Sequence, residues 1–231
     1  MLRALVCDID GTITDRQRRV NTAAIEEIRS LVEKDIAVVL ASGNTACFMD
    51  AACRLVGTNG AFIGENGGVY RREYGSELCI ERERRAAEEA YRRVEAHFRE
   101  RGIALELYSD RYRFTDIAFA RTVSSDEVKG VLGEVPIKVV DTGFAIHLQA
   151  PGLNKGEALK KLSVEMGLSP KDFVAVGDSI NDLEMIEQAG LGIAVANGHP
   201  KTKAAAFFVT EKSYGEGFVE AMERCRDLFL R

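Results

Sequence analysis

Residues 2–12 read LRALVCDIDGT, a short apolar run that ends abruptly at two aspartates and a glycine. An apolar run of this length, bounded by an acidic turn, is typical of a β-strand that is buried on both faces. We therefore predict a strand over residues 2–7, with Asp8, Asp10 and Gly11 following at its carboxyl end.

Helices and further apolar runs alternate along the chain after this strand. Residues 21–34 carry apolar side chains at helical spacing, and residues 36–41 form a second apolar run. A short helix over residues 45–55 and a strand over residues 61–63 are predicted next. Alternation of this kind predicts a parallel sheet that is covered by helices.

The pattern changes after Asn66-Gly67, a pair that predicts a hairpin turn. Residues 83–152 then form an insert with the predicted order α-β-β-α-β-β. Its elements are a helix over 84–101, strands over 103–108 and 114–120, a helix from the capping box at 124–127 to 132, and strands over 137–141 and 144–149.

The alternation of helices and strands resumes at Asn154. The predicted elements are a helix to 167, a strand over 173–176, a helix after 182, a strand over 193–195 and a helix over 214–230. The first sheet is therefore interrupted and then completed. The predicted fold class is α/β, a Rossmann-like parallel sheet core formed by residues 1–82 and 153–231 with a smaller inserted α+β cap domain.

Composition excludes several classes of function. The chain has 231 residues, 46% of them hydrophobic and 29% charged, which is close to the average for soluble globular proteins. A net charge of -5 argues against binding to a nucleic-acid backbone. No apolar stretch approaches the roughly 20 residues that cross a bilayer, so we expect no membrane partner.

The five cysteines are scattered and form no C-x-x-C pair, which indicates neither a zinc site nor a disulfide framework. The apolar run at the N-terminus is too short for a signal peptide. We therefore expect a cytoplasmic protein whose partner is a small molecule, present as a monomer or a homodimer.

Reactive polar residues follow three predicted core strands, at the point where each strand ends. The segments are Asp8-Ile9-Asp10-Gly11-Thr12, Ser42-Gly43-Asn44 and Gly177-Asp178-Ser179-Ile180-Asn181-Asp182. In an open parallel sheet, ligands bind outside the carboxyl ends of the strands, so we expect these segments to converge. Lys155, at the start of a helix, is expected to reach the same crevice.

Four carboxylates at one sheet edge need a cation among them. At about 4 Å and an effective dielectric constant near 20, each like-charged pair costs roughly 4 kcal/mol. Oxygen ligands select a hard metal, and Mg²⁺ suits a few carboxylates plus a substrate phosphate. The metal, an ammonium group and backbone N–H donors would let an aspartate attack a phosphate dianion.

In this order, these segments and Lys155-Gly156 resemble the four motifs of the haloacid dehalogenase-like (HAD) phosphatase superfamily. The insert lies between the second and third motifs, which resembles the class with a C2-type cap. Its compactness and the Ser-Gly-Asn motif are similar to the archaeal phosphoglycolate phosphatases. The resemblance spans essentially the whole chain.

The resemblance implies a role for each of the motif carboxylates. Asp8 would be the nucleophile that becomes aspartyl-phosphate, and Asp10 the general acid and then the general base. Asp8, the backbone carbonyl of Asp10, Asp178 and Asp182 would hold Mg²⁺, with Asp182 bound directly or through water.

The resemblance also implies the residues that bind the phosphoryl group, which are Ser42, Gly43, Lys155 and Asn181. Asn44 stands where many relatives have arginine, so no role is assigned to its side chain. The implied reaction is Mg²⁺-dependent hydrolysis of a small phosphate monoester, 2-phosphoglycolate to glycolate and phosphate. The alternative is a sugar phosphatase or a phosphomutase of the same superfamily.

Each motif residue also has a purely structural interpretation. Asp-x-Asp-Gly alone is also typical of a loop turn, and Ser42 could cap the next helix. Lys155 could be a solvated lysine, and Asp182 could only orient other groups. Two alternatives lie outside the superfamily. A signalling receiver domain, which only accepts phosphate on an aspartate, would have no insert and about half this length. A catalytically inactive interaction protein would not need every acidic position of the motifs intact.

The insert is expected to act as a mobile lid that selects the leaving group. A compact cap favours a two- or three-carbon ester, and a carboxylate on it would need a cationic partner such as Arg111 or Arg113, unless these are solvated. His147 lies on the opposite strand face from Ile146 and Leu148, and either lines the substrate cleft or faces solvent.

Overall fold

The computed structural model describes residues 2–143 and 145–229. Two predicted elements extend beyond this range, because the strand over 144–149 begins at Phe144 and the helix over 214–230 ends at Leu230. The chain divides into two compact units, Met1–Cys79 with Asn154–Arg231, and Ile80–Leu153. We call the first the core unit and the second the inserted unit.

The core unit is built around an eight-stranded sheet with the order β11-β10-β9-β1-β2-β3-β4-β5. All strands from β11 to β3 pair in parallel, and β4 is antiparallel to β3. The strands are β1 Ala4–Asp8, β2 Ala37–Ala41, β3 Phe62–Gly64, β4 Val69–Arg71, β5 Cys79–Ile80, β9 Phe173–Gly177, β10 Leu191–Ala194 and β11 Phe208–Val209.

Helices cover both faces of this sheet, as the alternating sequence pattern predicts. The helices are α1 Thr22–Val32, α2 Ala46–Val56, α5 Lys155–Glu165, α6 Leu183–Gln188, α7 Pro200–Ala205 and α8 Tyr214–Cys225. The α/β fold class is therefore confirmed. Short elements such as α7 and β11 carry too few apolar positions to give a periodic signal, and the sequence does not predict them.

Strand β1 is buried on both faces. Leu5 and Cys7 belong to the apolar cluster that includes residues of α1, α2 and α8, whereas Ala4 and Val6 belong to the cluster that includes residues of α5 and α6. This two-sided burial explains why residues 4–7 are all apolar. It also places Asp8 at the end of an interior strand, paired in register with Ala41 of β2.

The hairpin turn predicted at Asn66-Gly67 is present. Gly64 of β3 pairs with Val69 of β4, and a 3₁₀ turn over Glu65–Gly67 joins the two strands. The parallel part of the sheet therefore ends at β3, and the chain reverses direction at the same edge as Asp8.

The inserted unit contains two helices and a three-stranded antiparallel sheet with the order β6-β8-β7. Its elements are α3 Arg85–Arg99, β6 Asp116–Ala120, α4 Ser125–Leu132, β7 Lys138–Asp141 and β8 Ala145–Gln149. One apolar face of the sheet packs on α3 and α4, through residues such as Phe119, Ile146 and Leu148.

The strand predicted over residues 103–108 is wrong. This segment forms only one isolated bridge, between Leu107 and Phe119, and two hydrogen bonds with β6, from Tyr108 N to Ala118 O and from Ala120 N to Glu106 O. Its alternating pattern instead reflects Leu105 and Leu107, which pack against the apolar cluster of this unit without a regular ladder.

A buried polar cluster lies on the other face of the β6–β8 pair. Asp116 accepts hydrogen bonds from Arg113 Nη1 at 2.8 Å and pairs with His147 Nδ1 at 2.7 Å. His147 is only 3% exposed, so the solvent-facing alternative is wrong. Arg113 is also buried, so it is not a solvated side chain, whereas Arg111 is exposed.

The pKa of Asp116 reflects this cluster. Burial acts to raise the pKa of the carboxyl, but the hydrogen bond with His147 and the charge of Arg113 outweigh it and hold the pKa below its ordinary value. Asp116 is therefore ionised in the folded protein, and it supplies the charge that balances the buried guanidinium of Arg113.

The five cysteines are free thiols. Among the described residues, no helix combines the length and the apolar character needed to cross a membrane.

We predict that Asp116→Asn destabilises the protein by about 3–5 kcal/mol, because it removes the carboxylate charge that pairs with the buried Arg113. The free energy of unfolding in urea measures the change. The matched control is Glu89→Gln, which removes an exposed ion pair with Arg85 in the same unit and should cost less than about 0.5 kcal/mol. Equal losses in the two variants would contradict a structural role for the cluster.

Candidate functional site

Lys155 is the centre of the polar residues at the carboxyl edge of the core sheet. Its Nζ atom lies 2.5 Å from Asp8 Oδ1 and 2.6 Å from Asp182 Oδ1, and its side chain is completely buried. Lys155 is the first residue of α5, whose N-terminus is capped by Asn154. The solvated-lysine interpretation is therefore wrong, and one ammonium joins two carboxylates from distant parts of the sequence.

Asp182 organises the loop that follows β9. Its Oδ2 atom accepts hydrogen bonds from the backbone N–H groups of Asp178, at 3.0 Å, and Ser179, at 2.9 Å. Both of its carboxylate oxygens therefore have partners, since Oδ1 contacts Lys155. These contacts fix the loop on which Asp178 is carried.

Asp178 is held against the loop that follows β1. Thr12 Oγ1 donates a hydrogen bond to Asp178 Oδ1 at 3.1 Å. Gly11 adopts a φ of +96°, and a Cβ at this position would lie 2.5 Å from Asp178 Oδ2. Glycine is thus required at position 11 both by the backbone conformation and by the close approach of the carboxylate.

Asp10 is joined to the loop after β2 through Asn44. Asn44 Nδ2 donates to Asp10 Oδ2 and to Ser42 Oγ, each at 2.9 Å. Ser42 Oγ also accepts from the backbone N–H of Asn44, at 3.1 Å, and helix α2 begins after Thr45 without a side-chain cap. Ser42 therefore does not cap α2, and Asn44 positions both side chains.

The electrostatics of the site follow from burial and crowding. Burial raises the pKa of Asp8 well above its ordinary value, although Lys155 opposes the shift. Burial and the neighbouring Asp182 raise the pKa of Asp178 to about 7. Burial lowers the pKa of Lys155, but Asp182 and Asp8 outweigh it and raise that pKa, so Lys155 stays charged.

Three carboxylates are placed so that one cation can contact them together. One ligand oxygen from each of Asp8, Asp178 and Asp182 lies within 4.8 Å of the other two. The donors are all oxygen atoms, and the Lys155 ammonium contacts two of the three carboxylates, those of Asp8 and Asp182. This donor set fits a hard divalent cation such as Mg²⁺.

The structure brings the sequence-predicted residues together at one edge of the core sheet. Asp8, Asp178, Asp182 and Lys155 form one contact network, and Asp10 and Ser42 form a second around Asn44. Gly43 and Asn181 lie against the side chain of Asn66. Sequence reasoning assigned no role to Asn44, which stands where many relatives have arginine, and interpreted Asn66 only as part of a hairpin turn.

Comparisons with known proteins agree with this arrangement. A sequence model of the haloacid dehalogenase-like hydrolases matches residues 5–129 and 126–222. A protein of Methanoculleus marisnigri named phosphoglycolate phosphatase is 55% identical over 226 residues, 97% of each chain. A protein of the same name from Archaeoglobus fulgidus is 39% identical over 221 residues, 96% of each chain.

Solved structures show the same fold. The crystal structure of Thermoplasma acidophilum 0175 has a TM-score of 0.86 at 27% identity and covers 98% of this chain and 99% of its own. A haloacid dehalogenase-like hydrolase from Bacteroides thetaiotaomicron has a TM-score of 0.74 at 21% identity and covers 97% and 99%. The latter likeness concerns the fold alone.

We predict that Asp178→Asn changes how stability depends on pH in the presence of a chelator. Because the folded-state pKa of about 7 exceeds the ordinary value of 3.8, this carboxyl stabilises the fold fully below about pH 4, and the contribution is lost as pH rises through about 7. Asparagine has no such loss. The variant should therefore gain roughly 2–3 kcal/mol relative to the wild type between pH 5 and pH 8.

Urea unfolding at a series of pH values measures this difference. Asp126→Asn, at an exposed carboxylate, serves as the control and should follow the wild-type profile. Parallel profiles for Asp178→Asn and the wild type would show that the pKa of Asp178 is not raised.

Proposed function

Because the chain belongs to the haloacid dehalogenase-like hydrolases, we propose that it is a Mg²⁺-dependent phosphatase acting on a small phosphate monoester, 2-phosphoglycolate, through an aspartyl-phosphate on Asp8. The observation that carries the proposal is the contact of 2.5 Å between Asp8 and the buried ammonium of Lys155. A carboxylate at the end of an interior strand, beside a fixed positive charge, is suited to attack an anionic phosphoryl group.

In the first step, a carboxylate oxygen of Asp8 attacks phosphorus and the bond from phosphorus to the ester oxygen breaks. Asp10 gives its proton to the departing oxygen, so that glycolate leaves with a hydroxyl group. In the second step, Asp10 takes a proton from water as the water oxygen attacks phosphorus. The bond to Asp8 breaks, phosphate is released and both carboxyl groups return to their initial state.

Asn44 supports the proposed role of Asp10. It holds Asp10 Oδ2 at 2.9 Å and joins the carboxyl group to Ser42, one of the proposed phosphoryl ligands. General acid catalysis requires the proton donor within hydrogen-bond reach of the leaving oxygen, so a fixed side chain is favoured over a mobile one.

The phosphoryl oxygens are assigned to Ser42, the backbone of Gly43, Lys155 and Asn181. The carboxylates of Asp8 and Asp178 and the backbone carbonyl of Asp10 would hold Mg²⁺. Both carboxylate oxygens of Asp182 already have partners, so Asp182 would act through water or by positioning Lys155. When bound, the metal supplies positive charge that offsets the approach of two anions.

For the inserted unit, we propose a C2-type cap with the boundaries 83–152 and a role in choosing the leaving group. The choice of 2-phosphoglycolate follows the archaeal relatives that carry the name phosphoglycolate phosphatase. The alternatives are a sugar phosphatase and a phosphomutase, and they differ in which ester is used and in whether phosphate is released.

A comparison of kcat/KM values tests the substrate, with 2-phosphoglycolate, glycerol phosphate, a hexose phosphate and a nucleoside monophosphate, each with Mg²⁺ and with a chelator. We expect release of phosphate only with the metal and the highest kcat/KM for 2-phosphoglycolate. A tenfold preference for the hexose phosphate, about 1.4 kcal/mol of transition-state stabilisation, would replace the assignment by a sugar phosphatase. Activity in the chelator would contradict the metal assignment.

We predict that Asp8→Asn abolishes turnover, because an amide cannot act as the attacking carboxylate. Asp10→Asn should lower kcat by roughly 10²- to 10⁴-fold for an alkyl phosphate, and much less for p-nitrophenyl phosphate, whose leaving group needs no proton. Steady-state kinetics of the two variants on both esters measures these losses. Equal losses of Asp10→Asn on the two esters would refute the general-acid role.

A further inference from the structure

The turn between β3 and β4 has an unusual backbone. Glu65, Asn66 and Gly67 all have positive φ values, of 48°, 52° and 95°. Only glycine adopts this region without strain, and asparagine tolerates it better than most residues. Two consecutive non-glycine residues in this conformation must therefore be held by their surroundings.

The surroundings that hold this turn belong to the candidate site. The backbone N–H of Glu65 donates to Asn44 O at 2.9 Å, and that of Asn66 donates to Ser42 O at 3.2 Å. On the other side, a Cβ at Gly67 would lie 2.2 Å from the backbone oxygen of Asn154, the residue that caps the helix of Lys155. The turn is thus fixed between the Ser42 loop and the start of α5.

The side chain of Asn66 continues this contact to the loop after β9. Asn66 Oδ1 accepts a hydrogen bond of 2.7 Å from Asn181 Nδ2, and Asn181 Oδ1 in turn accepts from Ser179 Oγ. In the sheet order β9-β1-β2-β3, the loops after β9 and β3 lie on either side of the ends of β1 and β2. The pair Asn66–Asn181 therefore spans the edge at which Asp8 and Ser42 are placed.

One polar group of this pair has no hydrogen-bond partner among residues 2–143 and 145–229. Asn66 is 1% exposed, and none of the described residues accepts a hydrogen bond from its Nδ2 atom. With Oδ1 accepting from Asn181, Nδ2 is the end of the carboxamide that lacks an acceptor. A buried amide donor without an acceptor is destabilising, and such groups are rare in folded proteins unless ordered water, an ion or a ligand satisfies them.

The position of this donor indicates the chemistry of its acceptor. The Asn66 carboxamide lies beside Gly43, since a Cβ on Gly43 would be 3.0 Å from Asn66 Oδ1 and 3.1 Å from Asn66 Nδ2. Gly43 and Asn181, its two neighbours, are both assigned to the phosphoryl group under the proposed function. An anionic oxygen is the acceptor that would satisfy a donor placed between them.

We propose that Asn66 is a further phosphoryl-binding residue, which donates a hydrogen bond from Nδ2 to a phosphoryl oxygen while Asn181 fixes its Oδ1. The proposal rests on the proposed function, because it assigns Asn66 to the same phosphoryl site. It also gives a reason for the strained turn, since the left-handed backbone delivers this carboxamide to the edge of the sheet.

Two substitutions separate the donor from the backbone. Asn66→Asp keeps the acceptor for Asn181 and replaces the donor by a negatively charged oxygen. Asn66→Gly keeps the left-handed backbone and removes the carboxamide. Asn59→Asp, at an exposed position of the same unit, matches the change of charge and serves as the control.

The dissociation constant of inorganic phosphate, measured by calorimetry with Mg²⁺ present, is the first measurement. We expect Asn66→Gly to raise it about tenfold, as for a lost hydrogen bond to a charged acceptor, and Asn66→Asp to raise it further. KM should rise with p-nitrophenyl phosphate as with 2-phosphoglycolate, because the phosphoryl group is common to both. Asn59→Asp should stay within twofold of the wild type. Phosphate affinities within twofold of the wild type in both Asn66 variants would overturn the proposal.

A second measurement uses the wild type and does not depend on how the variants fold. The side-chain amide protons of Asn66, assigned by NMR in the labelled protein, should shift downfield on saturation with inorganic phosphate. An unchanged signal at saturation would overturn the proposal. Failure of the proposed function gives a different result. In that case the wild type hydrolyses none of the esters, even if the Asn66 signal shifts with phosphate.

Discussion

The contact of the buried Lys155 ammonium with the carboxylates of Asp8 and Asp182 is the interaction on which the rest of the site depends. Buried charges are tolerated only when they are paired, so one lysine on α5 fixes the carboxyl ends of β1 and β9 relative to each other. Asp178 adds a third carboxyl group to the cluster, and burial and the neighbouring Asp182 raise its pKa to about 7. Under the proposed function, Mg²⁺ would supply the further positive charge at this cluster.

The parallel sheet is what makes this concentration of charge attainable. Strands β9, β1, β2 and β3 are neighbours and run in the same direction, so their following loops meet at one edge. Each loop is then fixed by contacts to another: Thr12 to Asp178, Asn44 to Asp10, and Asn66 to Asn181. The inserted unit has its own apolar cluster and its own buried ion pair, so it is stabilised by interactions that the core unit does not supply.

The sequence predicts the elements whose apolar pattern is local and periodic. It also predicts the carboxylates at the sheet edge, because crowding like charges is unfavourable unless a function requires it. The two-sided burial of β1 follows from its uninterrupted apolar run, and the approach of Lys155 to Asp8 follows from the topology of a parallel sheet. The strand predicted over residues 103–108 is wrong because Leu105 and Leu107 have the spacing of a strand, but only Leu107 forms a bridge, with Phe119. The contact of Asp116 with His147 was not predicted, because it depends on the register of β6 with β8. Asn44 was given no role because many relatives have arginine at its place, and Asn66 was interpreted only as a turn residue, since turn formation alone accounts for an asparagine.

We propose that Asp8 forms a covalent bond to phosphorus, and rapid chemical quench can detect this bond. The wild-type protein is mixed with 2-phosphoglycolate and Mg²⁺, quenched in acid within one turnover, digested and analysed by mass spectrometry. We expect one phosphoryl group on Asp8, which forms and decays at rates that sustain turnover. Turnover without a phosphorylated Asp8 at any quench time, or with the phosphoryl group on another residue, would contradict it.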